Sequence, residues 1–297
     1  MNRIKLAFAI SALLISNITL ADLNTGLVAY YSFDDCTAKD SSINHFDGTI
    51  QGNPQCTSGV TLNGSTGKAL QFNGSTDWIE GNIDSNVFAK DWSIATWIYH
   101  TGYGELWESV FSNSTNGVNN APVMTFKGDT SQRNYLGING VGTTPNGTFV
   151  NLGSHFNQWI FAVITYKSGI PTVYAYKNGK LIKFSQTLSW NLQTSNGFYI
   201  GRHYYDLSNQ LFNGKIDEVK IYNRALSSSE IDSLYNQNVD ITGLMKGFIS
   251  AGFNVQCQNI TTGEIATAST TNFNCESSGL SVKSKDSIKI TIEGKAK

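Results

Sequence analysis

Proline is scarce in this chain of 297 residues: there are four, and Pro54, Pro122 and Pro145 fall in or beside loop-like segments. Chains of polyproline type are excluded by that count. Charge is also thin, at 14% Asp, Glu, Lys and Arg. No run of basic residues occurs, and no glycine loop of phosphate-binding pattern. With residues 1–21 removed, 19 basic residues face 22 acidic ones, a net charge of −3. Nucleic acid and anionic membrane surfaces are therefore not expected partners. Long apolar runs are missing too. The longest, Leu6–Ile15, is half of what a membrane helix needs, about 20 residues.

That run has a different meaning. Arg3 and Lys5 precede it, and Thr19-Leu20-Ala21 follows with small residues at the cleavage positions. The pattern predicts a signal peptide over 1–21 and a mature chain starting at Asp22. The expected destination is periplasmic, secreted or cell-surface.

Catalytic constellations are absent as well. There is no HExxH, no GxSxG and no CxxC. The four histidines, His45, His100, His155 and His203, are scattered and read as loop or surface residues. Retaining glycosidases hold two carboxyls about 5–5.5 Å apart. Glu105 and Glu108, spaced by three, fall on opposite faces of a strand, and so do Asp217 and Glu218. The chain reads as a non-enzyme.

What is present is strand. Alternating or apolar runs recur between turns rich in Gly, Asn, Ser and Thr: LVAYYSF (27–33), KALQFNG (68–74), DWSIATWIYH (91–100), QWIFAVITYK (158–167), TVYAYKNGKLIKFS (172–185) and GKIDEVKIYN (214–223). Asn178-Gly179 predicts a type I′ hairpin turn. One helix is expected after the last of these strands, with Ser227 and Glu230 as a capping box and Ile231, Leu234 and Tyr235 on one face. The pattern predicts an all-β sandwich or barrel.

The composition changes near 237–246. About 55 residues follow, with further strand-like runs and a cysteine pair, and they read as a small β domain. The expected divisions are 1–21, 22–238 and 239–297. The four cysteines, Cys36, Cys56, Cys257 and Cys275, allow three connectivities. Local pairing, 36 with 56 and 257 with 275, closes the shortest loops and keeps each bridge within one domain.

Strict alternation along GKIDEVKIYN puts Asp217 on the face of Val219 and Ile221. An ionised carboxylate among apolar side chains is costly unless paired, hydrogen-bonded or bound to a metal.

In order along the chain, GLVAYYSFDD, DSSINHFDGTI, GKALQFNGSTDWIE, WSIATWIY, YKNGKLI, YIGR and GKIDEVKIYNRALSSSEIDSLY resemble the LamG-like jellyroll domains of the concanavalin A-like lectin/glucanase superfamily. The resemblance covers 26–237. It implies a concanavalin A-like jellyroll of two antiparallel sheets, and a structural calcium ion near the meeting of the first and last strands. The matching positions are Asp34, Asp40, Asn44 and Asp217. The family's turn usually reads Asp-Ser-Ser-Gly-Asn-Gly, and here both glycines are replaced, by Ile43 and His45.

Without a catalytic pattern, the expected role is carbohydrate binding or adhesion, with a glycan or a surface protein as partner. Aromatic faces stack on sugar C–H surfaces while amides and acids bond hydroxyls. Trp97 and Trp159 read as core, and Trp92 is less clear. Tyr103, Trp107, Trp190, Tyr204 and Tyr205 lie in loop-like segments and are the expected ligand-binding aromatics. The alternative is a structural or protein-interaction subunit with no sugar ligand.

Overall fold

A computed structural model describes residues 23–62, 65–102, 107–113, 122–127, 134–138, 147–187, 194–203, 210–236, 254–259, 265–267 and 288–293. The chain divides into two compact units, of which 23–240 is the larger.

The described residues of the larger unit form fifteen strands: β1 (Leu27–Tyr31), β2 (Thr49–Gln51), β3 (Gln55–Leu62), β4 (Ser65–Asn73), β5 (Trp78–Asn82), β6 (Trp92–His100), β7 (Ser109–Ser112), β8 (Val123–Phe126), β9 (Tyr135–Ile138), β10 (Thr148–Asn151), β11 (Trp159–Lys167), β12 (Ile170–Lys177), β13 (Lys180–Ser185), β14 (Gly197–Ile200) and β15 (Asn213–Tyr222). A helix, α1 (Ser228–Asn236), follows β15. One sheet runs β13-β12-β11-β6-β15-β4-β3, with β1 also paired to β15. The second runs β10-β9-β8-β7-β14-β5-β2.

Both sheets are antiparallel, as the jellyroll expectation requires. Their facing sides bury one apolar core, with Phe72, Ile94, Ile98 and Ile216 from the first sheet and Ile79, Phe111, Phe198 and Ile200 from the second. The first sheet also buries its outer face. Ala95, Trp97, Phe161 and Tyr176 point that way and α1 covers them through Ile231, Leu234 and Tyr235. Strand β6 thus reads as a nearly continuous apolar run because both of its faces are packed. Trp92 is fully buried in the intersheet core.

Local signals in the sequence match the local structure. Asn178 and Gly179 both hold positive φ, 50° and 75°, between β12 and β13. Glu230 accepts the Ser227 N–H at 2.8 Å, and Ser227 Oγ accepts the Glu230 N–H at 3.3 Å, closing the capping box. Cys36 and Cys56 form a disulfide.

In the second unit, β16 (Asn254–Asn259), β17 (Ile265–Thr267) and β18 (Ile288–Glu293) form a three-stranded sheet in the order β17-β16-β18. The backbone of Cys257 lies in β16. The TNFNCES run with Cys275 falls outside the described residues, as do the expected signal peptide over 1–21 and residues 239–253.

Candidate functional site

Strand β15 changes partners halfway along one edge. Asn213–Ile216 pair with β4, and Val219–Tyr222 pair with β1. On its other edge β6 runs alongside throughout, but the register slips between Asp217 and Lys220. Asp217 faces Trp97 and Lys220 faces Ala95, so two residues of β15 oppose Thr96 alone. This is a β-bulge, and Glu218 takes a positive φ of 56° within it.

The bulge answers the question raised by the sequence. Ile216, Val219 and Ile221 all face the intersheet core. Asp217 does not share their face, contrary to strict alternation. The inserted residue turns Asp217 and Glu218 to the outer side, where Lys220 and Tyr222 follow. There the four line one pocket of about 510 Å³. The pocket opens where β1 and β4 part company at the fork. Leu23, Leu27, Val60, Leu62 and Leu234 form its apolar wall, and Tyr30, Asp34, Thr66 and Gly67 complete much of the rest.

Asp217 is 1% exposed. One oxygen accepts the Val60 N–H at 2.8 Å, and the other, Oδ1, is buried with no hydrogen-bond partner. Burial is the main force pushing its carboxyl up, to about 8, and the Glu218 and Asp34 charges add to it while the Val60 N–H, and more weakly the Glu218 N–H, oppose. At neutral pH the Asp217 side chain is mainly the neutral acid. Tyr222 is fully buried and its hydroxyl also lacks a partner. Two residues that each carry an unpartnered buried oxygen therefore line the same cavity, where the usual rule is that buried polar atoms are bonded.

Glu218 is already engaged. It accepts the Tyr30 hydroxyl at 2.9 Å and pairs with Lys220, whose ammonium lies 4.1 Å from the centroid of the Tyr30 ring. Burial, and then the Glu218 charge, push the Tyr30 phenol up. Asp34 is exposed and accepts the Lys68 N–H at 2.9 Å. Glycines make this fit possible. A Cβ on Gly59 would stand 2.4 Å from Asp217 Oδ2, and one on Gly67 would stand 2.1 Å from Asp34 Oδ1.

The other two expected calcium ligands serve the free edge of β1. Asp40 accepts the N–H groups of Tyr30, Ser42 and Phe46 and the Ser42 hydroxyl, each at 2.8 Å. Ser41 donates to the Tyr30 carbonyl, and Ser42 Oγ and Asn44 Nδ2 donate to the Val28 carbonyl. The Asp-Ser-Ser turn thus stands in for a neighbouring strand. With four protein donors, the Asp40 carboxylate has its acceptor positions filled. Among the described residues, no three His, Cys, Asp or Glu side chains are arranged to hold a metal ion. Asp34 and Asp217 are the two of the expected four that line the pocket.

Of the expected ligand-binding aromatics, Trp107 is half-buried beside Phe149, with ring centroids 6.4 Å apart, and does not line the pocket. Tyr103, Trp190, Tyr204 and Tyr205 lie outside the described residues. The sequence reading missed Tyr222, whose place among core strand residues hides an unpaired hydroxyl. It also misplaced the histidines. His100, His155 and His203 are buried, and only His45 is exposed. His100 Nδ1 meets His155 Nε2 at 2.8 Å, and His100 Nε2 meets Glu108 at 3.1 Å. Phe126, Phe156 and Phe212 pack around this polar chain, which makes it an internal brace.

The family model of the Concanavalin A-like lectin/glucanases superfamily matches residues 73–232, more than half of the chain and including the bulge of β15. The chain belongs to that superfamily. No curated protein sequence matches it. Among solved structures, the botulinum neurotoxin serotype D binding domain is similar with a TM-score of 0.55 and 15% identity, over 73% of this chain and 53% of that one. A Trypanosoma rangeli sialidase in complex with 2,3-difluorosialic acid gives 0.53 and 16%, over 73% of this chain and 33% of that one. Domain 4 of an extracellular arabinanase from Geobacillus stearothermophilus, in complex with arabinotriose, gives 0.48 and 24%, over 70% and 97%. The superfamily member described here thus spans about half of the toxin domain and a third of the sialidase. No helix among its described residues is long and apolar enough to cross a membrane.

Proposed function

We propose that the chain is an exported, non-catalytic carbohydrate-binding module. The observation that carries this reading is the pocket at the β15 fork, where Asp217 Oδ1 and the Tyr222 hydroxyl have no protein partner inside an apolar wall. Small-ligand sites are concave and largely apolar, with a few convergent polar groups. The superfamily is one of lectins and glucanases. The carboxylates of the pocket do not form a glycosidase pair on this reading: Glu218 is held by Tyr30 and Lys220, and one oxygen of Asp217 is held by Val60. The aromatics Tyr103, Trp107, Trp190, Tyr204 and Tyr205 stay proposed ligand contacts on the ground of their sequence segments alone.

The test is a glycan array probed with the mature chain in calcium and again in EDTA, with glycoside hydrolysis followed in parallel. Glycan capture without product release supports the module. Released reducing sugar contradicts its non-catalytic character. Loss of capture in EDTA assigns a calcium ion to ligand binding, with Asp34 and Asp217 as the residues to mutate. Absence of any capture favours the second reading, a protein-interaction subunit. That reading has its own observation: β13 is an outer strand of the first sheet and leaves Leu181 and Phe184 each 46% exposed.

A further inference from the structure

We infer that the pocket at the β15 fork is a subsite for an ammonium group carried on a sugar, and that an unacetylated amino sugar is the ligand class it fits. This rests on the carbohydrate-binding reading and adds the charge of the ligand.

The lining holds three acids, Asp34, Asp217 and Glu218, against one base, Lys220. Lys220 is committed. Its ammonium pairs with Glu218 and lies over the Tyr30 ring, 4.1 Å from the centroid. Glu218 is thereby satisfied, and Asp217 and Asp34 remain. Asp217 is 1% exposed with Oδ1 unpartnered, and Asp34 is exposed at the rim. Arg224, the next cation along the chain, is turned to Glu230 at 2.7 Å. Arg202 sits elsewhere, against the Trp78 and Tyr199 rings. No described cation answers Asp217.

An ammonium favours the ionised form of Asp217 and offers three donors, of which one suits Oδ1. The Tyr222 hydroxyl can donate or accept, and so suits a sugar hydroxyl. The leucine and valine side chains beside Asp217 lower the local polarity and strengthen a charge contact there. A volume of about 510 Å³ lies within the range of small-ligand sites, roughly 300–1,000 Å³. A neutral sugar suits Tyr222 but brings no charge to favour the ionised form of Asp217. Acetylation removes the ammonium charge and adds bulk at the same nitrogen.

The experiment is titration calorimetry of the full chain with a glucosamine trisaccharide, its fully N-acetylated counterpart and ethylammonium. It is repeated on Asp217→Asn and Tyr222→Phe, with circular dichroism confirming the fold of each. Asn is close in shape and keeps an oxygen for the Val60 N–H. The expected result is that the amino sugar binds more tightly than the acetylated one by about tenfold or more. Asp217→Asn abolishes that preference, and Tyr222→Phe weakens the amino sugar while keeping the preference. Equal affinity for the two sugars, or a preference that survives Asp217→Asn, overturns the inference and leaves the carbohydrate reading standing. Ethylammonium binding that needs Asp217, with no sugar bound, supports the ammonium subsite and overturns the sugar.

Discussion

The Asp217 carboxylate accepts the Val60 amide proton at 2.8 Å, across 157 positions of sequence. The contact joins a bulge in β15 to the irregular stretch of β3 between Ser58 and Thr61, where that strand slips against β4. Two strands that do not pair along this stretch are tied by one side chain. The tie uses one oxygen and leaves the other buried and without a hydrogen-bond partner.

Asp217→Asn will stabilise the chain more at high pH than at low pH. The folded value near 8 lies above the ordinary carboxyl value of 3.8. The native state therefore binds the Asp217 proton more tightly than the unfolded chain does. The associated stability is present below about pH 4 and is lost as pH rises towards 8, with a slope of up to about 1.4 kcal/mol per pH unit. Urea unfolding of both proteins at pH 5, 7 and 9 reads this directly. A constant difference across the series contradicts it.

The two histidines with shifted values act in the opposite sense. Burial first, and for His155 also the neighbouring His100 and Lys177, hold His155 and His203 down at about 4. Both are neutral in the fold and must charge on acidification. Their stability is present above about pH 6.5 and is lost as pH falls towards 4. Between those limits two histidines oppose one Asp217, so the wild-type chain weakens on acidification. Above pH 6.5 Asp217 alone titrates among these three, and the chain weakens as pH rises. The expected outcome is a stability maximum near pH 6.5, read from urea midpoints. His155→Gln flattens only the acid limb.

The glycines under the carboxylates separate a rigid contact from a yielding one. A Cβ on Gly59 meets buried Asp217 and also the Lys68 backbone at 2.8 Å, so nothing nearby can move cheaply. Gly59→Ala is expected to cost about 1–3 kcal/mol. A Cβ on Gly67 meets only the Asp34 side chain, which is exposed and can swing away. Gly67→Ala is expected to change stability by about 0.5 kcal/mol or less. Denaturation midpoints of the two variants test the contrast, and ligand affinity should fall in Gly59→Ala first.

What the sequence disclosed was what is local. The Asn178-Gly179 turn, the Ser227–Glu230 box and the alternation of β6, β11 and β12 each depend on neighbours within a few positions. The Asp-Ser-Ser turn was visible as a motif, but its duty at the β1 edge was not, because Tyr30 and Val28 lie ten or more positions away. The bulge was hidden for a stronger reason. A positive φ is usually marked by Gly, Asn or Asp, and here Glu218 carries it. One inserted residue reverses the face of everything before it, so strict alternation put Asp217 in the wrong layer. The histidines were misjudged because His100 and His155 meet only once β6 and the loop after β10 are in place.

Loss of the Cys36–Cys56 bond is expected to weaken both the fold and the pocket. The bridge spans a sequence separation of 20, which corresponds to about 3 kcal/mol of chain entropy removed from the unfolded state. Asp34 at the pocket rim lies two residues before Cys36, and Gly59 and Val60 lie just after Cys56 in β3. The bridge thus holds together the two chain segments that frame Asp217. The double variant Cys36→Ala/Cys56→Ala should lose about 3 kcal/mol in urea unfolding and also bind its ligand more weakly than a surface variant of equal stability. Reductant should lower the wild type to the level of the double variant. A double variant that binds normally would separate the bridge from the pocket, because the rim would then be held by the Asp34–Lys68 and Asp217–Val60 bonds alone.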